Sequence, residues 1–268
     1  MINLVIGNTS QQSYYYPEDY LKISSREVDL DFLLEKEFNS VYLPFAEQRI
    51  YDKGVDFLST NLYLTLDIVD RLIERSNKIV VFTSCELWSN CYGTIRKDTP
   101  FNFDLKNNYS TSKFLLFNEI ERRREKSDLY QKVIIVHPFY FNSVRRSKYF
   151  LFGKIFDSIL HKKKIEVGNL DFYRDMVHTN FFVQKCIEAR EDTVLGSGRL
   201  FNVRDFVVDL YEAMGLDFSE YVKEDRSLPP NDKFIRSDSE WNYSYDDLLK
   251  DTIEDLEKYK SLIEKQQK

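Results

Sequence analysis

The stretch "NKIVVFTS" at residues 77–84 decides the fold class. Its centre is a continuous apolar run, and two small polar residues, Thr83 and Ser84, follow it. Such a run is typical of a strand that is buried on both faces, and strands of that kind occur in parallel sheets covered by helices. The stretch "QKVIIVHPF" at 131–139 repeats the pattern and stops at Pro138. The two stretches therefore predict a parallel sheet with helices on both faces.

Further apolar runs alternate with helical patterns along the first half of the chain. The predicted strands are "INLVIG" at 2–7, "YLKISS" at 20–25 and "NSVYLPF" at 39–45. Apolar residues at helical spacing predict one helix over 56–75 and another over 109–125. This alternation indicates an α/β, doubly wound, Rossmann-like fold, in which ligands bind beyond the carboxyl ends of the strands.

The sequence pattern changes near residue 140, where the predicted loops become longer and the apolar runs become shorter. We predict a doubly wound domain over 1–140 and a smaller region over 141–240. The remaining residues, 241–268, are rich in Asp, Glu and Lys and predict a C-terminal helix with a solvated face.

The composition excludes several classes of protein. The 268 residues are 43% hydrophobic, which suffices for a core, and the formal net charge of −6 argues against nucleic-acid and membrane-surface partners. The N-terminus lacks the basic segment of a signal peptide, and no stretch approaches the roughly 20 apolar residues of a membrane span. The three cysteines, Cys85, Cys91 and Cys186, show no metal-ligand spacing, and so sparse a set predicts a reducing compartment. We expect a cytoplasmic protein without a metal site.

The stretch "NNYSTSKFLLFNE" at 107–119 places Tyr109 four residues before Lys113, on one face of the predicted helix. A Lys ammonium beside a Tyr hydroxyl lowers the pKa of the phenol, and such a tyrosine can exchange a proton with a substrate hydroxyl. Taken by itself, the pair more often represents a half-buried tyrosine and a solvated lysine.

A second set of polar residues follows the strand at 77–84. Ser84 ends the strand and Glu86 comes two residues later, where a doubly wound sheet presents side chains to a ligand. The Ser84 hydroxyl is positioned to share a substrate oxygen with Tyr109. A carboxylate at Glu86 is positioned to act at a neighbouring carbon.

These motifs together resemble the extended short-chain dehydrogenase/reductases, the NAD-dependent epimerase/dehydratase family that modifies nucleotide sugars. The resemblance covers about residues 40–217 and is closest to the GDP-mannose 4,6-dehydratase-like enzymes. Their catalytic run is Thr-Ser-Glu-Leu-Tyr-Gly; "SCELWS" at 84–89 has Ser84 in place of the Thr, keeps Glu86 and Leu87, and has Trp88 in place of the Tyr.

Three segments of the second half extend the resemblance. The stretch "IEVGNLDFYRDMVHTNFFV" at 165–183 resembles the substrate segment of the family, which implies that Gly168 and Asn169 approach the nucleotide base and that Arg174 contacts the sugar diphosphate or supports its pocket. The stretch "FNSVRRSKYFLFGKI" at 141–155 resembles the nucleotide-side loop and implies a substrate role for Arg145 and Arg146. The stretch at 193–217 resembles the strand, glycine-rich turn and helix start that follow in the family. The resemblance therefore implies a dinucleotide-binding domain over 1–140 and a nucleotide-sugar-binding region over 141–240.

The resemblance also implies a function. Ser84, Glu86, Tyr109 and Lys113 would be catalytic in an NAD- or NADP-dependent 4,6-dehydratase that acts on a GDP- or other NDP-hexose through a 4-keto intermediate. An NDP-sugar C4 epimerase or 4-keto-sugar reductase is the alternative within the fold. A non-catalytic descendant that binds sugar nucleotides and has lost the cofactor is the alternative outside it. The family implies a homodimer formed by the helices at 56–75 and 109–125, and a role in making surface-polysaccharide precursors.

The N-terminus departs from the family, which begins with Gly-x-x-Gly-x-x-Gly around the dinucleotide pyrophosphate. The resemblance assigns cofactor contacts to Gly7, Thr9, Ser10, Gln11 and Asp29, together with Tyr109 and Lys113. Ser10 replaces the second glycine, where a Cβ would crowd a pyrophosphate, and the third glycine is missing. Pro17 leaves little room for a helix before the next strand, so that a helix–strand unit is shortened or deleted. Cofactor binding is thus rebuilt, weakened or lost; Arg26 would suit a 2′-phosphate, and Asp29 a ribose.

Two features have open interpretations at this level. His137 precedes Pro138 at a strand end and either faces a ligand or lies in the core. The run Tyr14–Tyr16 either covers the sheet where the missing helix would lie or stacks on a ligand base.

Overall fold

A computed structural model describes residues 1–229 and 233–266. Its strands are β1 Ile2–Ile6, β2 Leu21–Ile23, β3 Phe38–Tyr42, β4 Ile79–Phe82, β5 Gly93–Ile95, β6 Val133–Pro138, β7 Tyr140–Asn142, β8 Ile165–Gly168, β9 Tyr173–Arg174, β10 Met176–His178, β11 Thr193–Leu195, β12 Phe201–Asn202, β13 Val222–Asp225 and β14 Ile235–Ser237. Its α-helices are α1 Leu30–Leu34, α2 Thr65–Leu72, α3 Asn108–Arg124, α4 Leu151–His161, α5 Thr179–Glu188, α6 Val203–Ala213, α7 Phe218–Tyr221 and α8 Tyr245–Gln266. A π-helical segment, Ser59–Leu64, precedes α2, and 3₁₀ turns occur at Ile73–Arg75, Cys85–Trp88 and Asp128–Lys132.

The predicted α/β Rossmann-like fold is confirmed. The six-stranded sheet has the order β2-β1-β3-β4-β6-β11, and all its strand pairs are parallel. Each of the five apolar runs of the first half contains one of these strands. The chain crosses from β2 to β3 on the opposite side of β1, and a crossing of this kind marks the point at which doubly wound folds bind ligands.

The sheet ends one strand earlier beside β1 than the order 3-2-1-4-5-6 of a full dinucleotide-binding sheet. Residues 7–20, between β1 and β2, form turns rather than a helix. Both observations agree with the prediction that a helix–strand unit is shortened at the N-terminus. The glycine-poor sequence before Pro17 is the local reason that residues 7–20 form turns instead of a helix.

One face of the sheet packs against α2 and α3. Alternate residues of the strands point to this face, because successive side chains of a strand lie on opposite sides. The buried cluster includes Leu4 and Ile6 of β1, Val41, Ile79 and Val81 of β3 and β4, and Leu66, Val69, Leu116 and Ile120 of the two helices. The helical periodicity read from the sequence therefore identified the packed faces of both helices.

The chain divides into two compact units. The first contains residues Met1–Cys91, Arg96–Pro138 and Val183–Leu195, and so includes the six-stranded sheet. The second contains Tyr92–Ile95, Phe139–Phe182 and the described residues from Gly196 onward. Its strands form four two-stranded pairs, β10-β7, β12-β9, β13-β8 and β14-β5.

The helices α4 and α5 were not predicted. The signal for α4 was present, since Phe152, Ile155, Phe156 and Ile159 recur at helical spacing and are all buried. Among the described residues, no helix is long and apolar enough to cross a membrane.

Candidate functional site

Ser84 lies just beyond β4 in extended backbone and caps the 3₁₀ turn Cys85–Trp88. Its Oγ accepts a hydrogen bond from the backbone N–H of Glu86 at 3.2 Å. Because this bond uses the hydroxyl oxygen as acceptor, the hydroxyl proton can be donated to a second oxygen. The cap also fixes Glu86 in the first turn after the strand.

Tyr109 lies in the first turn of α3, where the sequence predicted it. The Asn107 side chain caps this helix by accepting hydrogen bonds from the N–H groups of Tyr109 and Ser110, at 3.1 and 3.2 Å. The Tyr109 ring is half-buried and packs edge-on against Phe57, with ring centroids 6.2 Å apart. The cap and this ring contact hold the position of the phenol.

Lys113 is the most informative residue of the predicted site. Its side chain is 2% exposed, and its Nζ donates a hydrogen bond to the backbone carbonyl of Phe82 at 2.8 Å. Phe82 is the last residue of β4, two residues before Ser84. Burial lowers the pKa of the Lys113 amine to about 7, because removal from water disfavours the charged form.

Two of the four predicted catalytic residues thus meet the end of β4 directly. Lys113 reaches the strand through its amine, and Ser84 follows the strand in the chain. The helix α3, which carries Tyr109, packs against the 3₁₀ turn that contains Glu86. Ser84 and Lys113 therefore meet at the carboxyl end of β4, and the convergence of Ser84, Tyr109 and Lys113 on a single oxygen stays a prediction.

His137 lies in the core. Its ring is 2% exposed, its Nδ1 is 2.6 Å from the Thr83 hydroxyl, and the rings of Trp88 and Phe117 pack around it. Burial lowers the pKa of His137 to about 4, so the imidazole is neutral near pH 7. The structure supports the core interpretation over the ligand-facing one.

The N-terminal residues assigned to the cofactor hold one another in a compact turn. The N–H groups of Gly7 and Asn8 both donate to the carbonyl of Ile23, at 2.8 and 3.0 Å, and the Ser10 N–H donates to the carbonyl of Gly7 at 2.9 Å. The Ser13 hydroxyl also donates to the Gly7 carbonyl, at 2.6 Å. Backbone groups that cradle a pyrophosphate in a glycine-rich loop are here used within the chain.

Gly7 is required by the chain itself. Its φ of +121° is a backbone conformation that residues with a Cβ rarely adopt. A Cβ built on Gly7 would also lie 3.1 Å from the Cβ of Phe45. A ligand is therefore not needed to explain this glycine.

The remaining residues assigned to the cofactor have varied surroundings. Thr9 is exposed, Ser10 lies 3.1 Å from the Ser13 hydroxyl, and Gln11 is buried. The Asp29 side chain caps α1 by accepting from the Phe32 N–H at 3.0 Å. That bond gives Asp29 a local structural role six residues beyond the end of β2.

The residues at the end of β1 do not fit the pyrophosphate of a dinucleotide. A helix N-terminus normally supplies N–H groups and a favourable dipole there, whereas residues 7–20 form turns. The segment 8–20 contains two carboxylates, Glu18 and Asp19, and no Lys or Arg. The absence of a helix N-terminus there, and of any Lys or Arg in residues 8–20, opposes a bound diphosphate.

Tyr16 takes the place of the missing helix on the second face of the sheet. Its ring is 2% exposed and lies 4.8 Å from the ring of Tyr42 on β3, and the Tyr20 ring lies 6.0 Å from both. Burial raises the pKa of Tyr16, and the nearby Cys186 thiol of α5 raises it further. Of the two interpretations of the tyrosine run, the structure supports cover of the sheet for Tyr16.

The paired arginines of the second unit stack on aromatic rings. The Arg145 guanidinium lies 4.4 Å from the centre of the Tyr259 ring, and that of Arg146 lies 3.8 Å from the centre of the Phe150 ring. Both side chains are half-buried, so that the rings orient them without removing them from solvent.

The Arg174 side chain is more deeply buried than those of Arg145 and Arg146. It is 4% exposed, its guanidinium lies between the rings of Tyr140 and Phe172, and it donates to the carbonyl of Tyr173 at 2.7 Å. Of the two roles that the family implies, this burial favours support of a pocket.

Gly168 and Asn169 end β8 beside Leu228. The Asn169 amide donates to the Leu228 carbonyl at 3.1 Å, and its oxygen accepts from the Asp171 N–H at 2.9 Å. A Cβ on Gly168 would make only an ordinary contact with Leu228, at 3.5 Å. The chain itself therefore does not require glycine at this position.

Sequence reasoning missed Asp175, which follows Arg174. Its buried carboxylate accepts five hydrogen bonds, from the N–H and hydroxyl of Ser197, the N–H and hydroxyl of Ser237, and the N–H of Gly198, at 2.6–3.1 Å. Burial raises the pKa of this carboxyl group, and the five donors oppose the shift. Asp175 thus joins the loop after β11 to β14. The local signal was its place directly after Arg174.

The sheet order defines a Rossmann-like α/β fold. No family model matches the chain, and no curated protein matches it in sequence. Solved structures match over the whole chain at low identity. DesIV, a dTDP-glucose 4,6-dehydratase from Streptomyces venezuelae solved with NAD and TYD bound, is 16% identical with a TM-score of 0.74, and the match covers 98% of each chain.

Two other solved structures are similar to the chain. UDP-glucuronic acid 4-epimerase from Bacillus cereus, solved with NAD, is 12% identical with a TM-score of 0.74, over 96% of this chain and 97% of that one. RMD from Pseudomonas aeruginosa, solved with NADPH, is 14% identical with a TM-score of 0.73, over 96% of this chain and all of that one. At these identities the likeness shows the fold alone. The dehydratase and the epimerase share it, so it does not select a reaction.

Proposed function

We propose that this chain binds a nucleoside-diphosphate hexose, with Ser84, Tyr109 and Lys113 in contact with the sugar. The observation that carries the proposal is the hydrogen bond from Lys113 Nζ to the Phe82 carbonyl. It brings the amine to the end of β4, which Ser84 follows directly, and this is the edge at which doubly wound sheets present polar groups to ligands. The whole-chain likeness to nucleotide-sugar enzymes supports the same class of ligand.

For the second unit, taken by itself, we propose a role in binding a diphosphate. Arg145 and Arg146 are half-buried and oriented by ring stacking, which suits contact with phosphate oxygens. Arg174 supports them from a buried position, while Gly168 and Asn169 lie near the base. We further propose that the ligand is a precursor of surface polysaccharides.

The acid–base residues match the needs of 4,6-dehydration. Tyr109 would accept the proton of the sugar 4-hydroxyl, Ser84 would donate a hydrogen bond to the same oxygen, and Lys113 would favour the phenolate. Glu86 would remove the proton from the carbon next to a 4-ketone. Of the reactions considered, only dehydration uses a carboxylate at the position of Glu86, so we place it ahead of C4 epimerisation and 4-keto reduction.

All three reactions need a nicotinamide as hydride carrier, and the N-terminal segment does not fit one. This specific observation favours the remaining candidate, a protein that binds a sugar nucleotide without turning it over. All four candidates bind a nucleoside-diphosphate hexose, and binding of this ligand class is the function that we propose.

Calorimetry with a panel of UDP-, GDP-, dTDP- and CDP-hexoses tests this conclusion. We expect binding of at least one sugar nucleotide, with affinity reduced about tenfold by Tyr109→Phe through loss of one hydrogen bond. Arg146→Gln should reduce affinity by a similar factor, whereas Tyr51→Phe, at a tyrosine that is 81% exposed, should change nothing. Absence of binding across the panel by folded protein would contradict the proposal.

Mass spectrometry of the bound sugar nucleotide after incubation with added NAD or NADP separates the candidates. Loss of water from the hexose would identify a dehydratase, and Glu86→Gln should then abolish it. An isomer, or a reduced keto-sugar, that persists in Glu86→Gln would identify an epimerase or a reductase. An unchanged sugar would identify a binding protein.

A further inference from the structure

We infer that residues 8–20 take the place of a dinucleotide-binding loop and helix after β1, so that this chain takes a sugar nucleotide without NAD or NADP. The part of this inference that concerns the sugar nucleotide rests on the proposed function. The part that concerns the dinucleotide rests on the geometry of the first unit alone.

Hydrogen bonds between its own groups hold the turn after β1 together. The N–H groups of Gly7 and Asn8 share the Ile23 carbonyl, and the Ser13 N–H donates to the Ser10 carbonyl at 3.1 Å. The Ser13 hydroxyl donates to the Gly7 carbonyl, and the Ser10 and Ser13 hydroxyls lie 3.1 Å apart. A pyrophosphate at the end of β1 would have to compete with this network for the same N–H groups.

Packing of buried side chains also holds the turn in place. Gln12 and Ser13 are buried, and Tyr16 is fixed against Tyr42. The Lys22 amine on β2 donates to the Tyr16 carbonyl at 2.7 Å. The segment is therefore anchored at both ends, and opening it would expose Tyr16.

The segment at residues 8–20 also lacks positive charge. Residues 8–20 contain no Lys or Arg, and their two carboxylates, Glu18 and Asp19, lie just before β2, level with the start of β1 rather than with its end. A dinucleotide pyrophosphate carries negative charge, and at the end of β1 it would meet neither a helix N-terminus nor a Lys or Arg of this segment.

The consequence concerns the predicted catalytic residues. Without a nicotinamide, Tyr109 and Lys113 can exchange protons and form hydrogen bonds, but a hydroxyl carbon has no acceptor for its hydride. Ser84, Tyr109 and Lys113 then act as binding groups for sugar hydroxyls, and the expected product of incubation is unchanged sugar nucleotide.

The test measures the two ligands separately on full-length protein whose cooperative unfolding confirms that it is folded. Purified protein is denatured and the supernatant is searched for nicotinamide nucleotides by mass spectrometry. Native protein is then titrated calorimetrically with NAD, NADP, NADH and NADPH at millimolar concentration, beside the sugar-nucleotide panel. We expect no released nicotinamide and no dinucleotide binding.

Each outcome is decisive. Stoichiometric release of a nicotinamide nucleotide, or micromolar binding of one, would overturn the inference while leaving the proposed sugar-nucleotide ligand intact. Sugar-nucleotide binding without dinucleotide binding would support the inference in full. Binding of neither would refute the proposed function and leave the exclusion of dinucleotide standing.

The variant Ser10→Gly sharpens the test, because it restores the second glycine of the family pattern without supplying a helix. The inference assigns the exclusion to the whole segment, so Ser10→Gly should still fail to bind NAD. Gain of NAD binding in this variant would show that a single Cβ is responsible and would overturn that assignment. Thr9→Gly, at the exposed neighbour, is the matched control.

Discussion

At the residue scale, Lys113 shows how burial changes the chemistry of a motif. In the sequence it is a basic residue one turn after a tyrosine. In the structure its amine is removed from water and bonded to a carbonyl at the end of β4, with its pKa lowered to about 7. A partly uncharged amine at neutral pH stabilises a neighbouring phenolate less well than an ammonium does, and its lone pair can accept a hydrogen bond from a sugar hydroxyl.

The lowered pKa of Lys113 predicts a pH dependence of stability. The ordinary amine pKa is 10.5, so between about pH 7 and 10.5 the unfolded chain holds a proton that the folded chain lacks. Stability then rises with pH in this window, by at most about 1.4 kcal/mol per pH unit for this one group. Lys113→Met keeps the buried volume and cannot titrate, so the variant should lose this part of the rise.

Urea unfolding of wild type and Lys113→Met at several pH values between 7 and 10 measures the difference. Lys78, whose pKa burial lowers to about 8, is common to both proteins and cancels. The exposed Lys126→Met serves as control and should follow the wild type. Parallel curves for wild type and Lys113→Met would mean that the amine is charged in the folded protein.

At the element scale, a turn has replaced a helix without exposing the sheet. A helix after β1 would normally cover the face to which Tyr42 points. Here one large ring, Tyr16, does so, with Tyr20 beside it. The turn thus preserves the core and removes the helix N-terminus, so the fold persists where the dinucleotide site does not.

Substitutions at Tyr16 test this role. The Tyr16 hydroxyl is buried and has no hydrogen-bond partner, so Tyr16→Phe should raise the free energy of unfolding by about 1 kcal/mol. Tyr16→Ala leaves a cavity against Tyr42 and should lower it by about 3–5 kcal/mol. Urea denaturation measures both, with the half-buried Tyr20→Ala expected to cost less. A Tyr16→Ala protein as stable as wild type would show that the ring is not a structural cover.

At the scale of the whole molecule, the fold leaves the assembly to be tested. The family resemblance predicts a homodimer in which α2 and α3 pair with their symmetry mates. Much of their outer surface carries ion pairs within one chain, such as Arg123 with Asp70 and Arg71 with Asp67. Tyr63, which is 63% exposed in the segment before α2, is the large apolar candidate for a contact with a second copy.

Sedimentation velocity tests the homodimer. We expect the wild type to sediment as a dimer and Tyr63→Glu to sediment as a monomer, because the substitution places a charge in the proposed contact. Tyr51→Glu, on an exposed ring outside these helices, should remain dimeric. A monomeric wild type would refute the dimer, and a dimeric Tyr63→Glu would place the contact elsewhere.

Local pattern sufficed for much of the fold. Continuous apolar runs identified five of the six strands of the main sheet, since a strand buried on both faces needs no partner sequence to be recognised. The helix that carries Tyr109 and Lys113 was visible from its periodicity. The loss of the helix after β1 was visible from Pro17 and from the missing glycines. The helices α4 and α5 were overlooked in the second half, where the resemblance described loops and short strands.

By itself, then, the sequence determined the class of the sheet, the helix of the predicted site and the shortened N-terminus, because each depends on residues that are near one another in the chain. Only the tertiary structure decided which distant groups the side chains contact. Lys113 bonds a carbonyl 31 residues away, and Asp175 bonds Ser237 at a separation of 62 residues. It also decided that Tyr16 covers the sheet and that the turn uses its own N–H groups. Such contacts form when distant segments pack together and compete for the same donors and the same buried surface, and local periodicity does not record that competition.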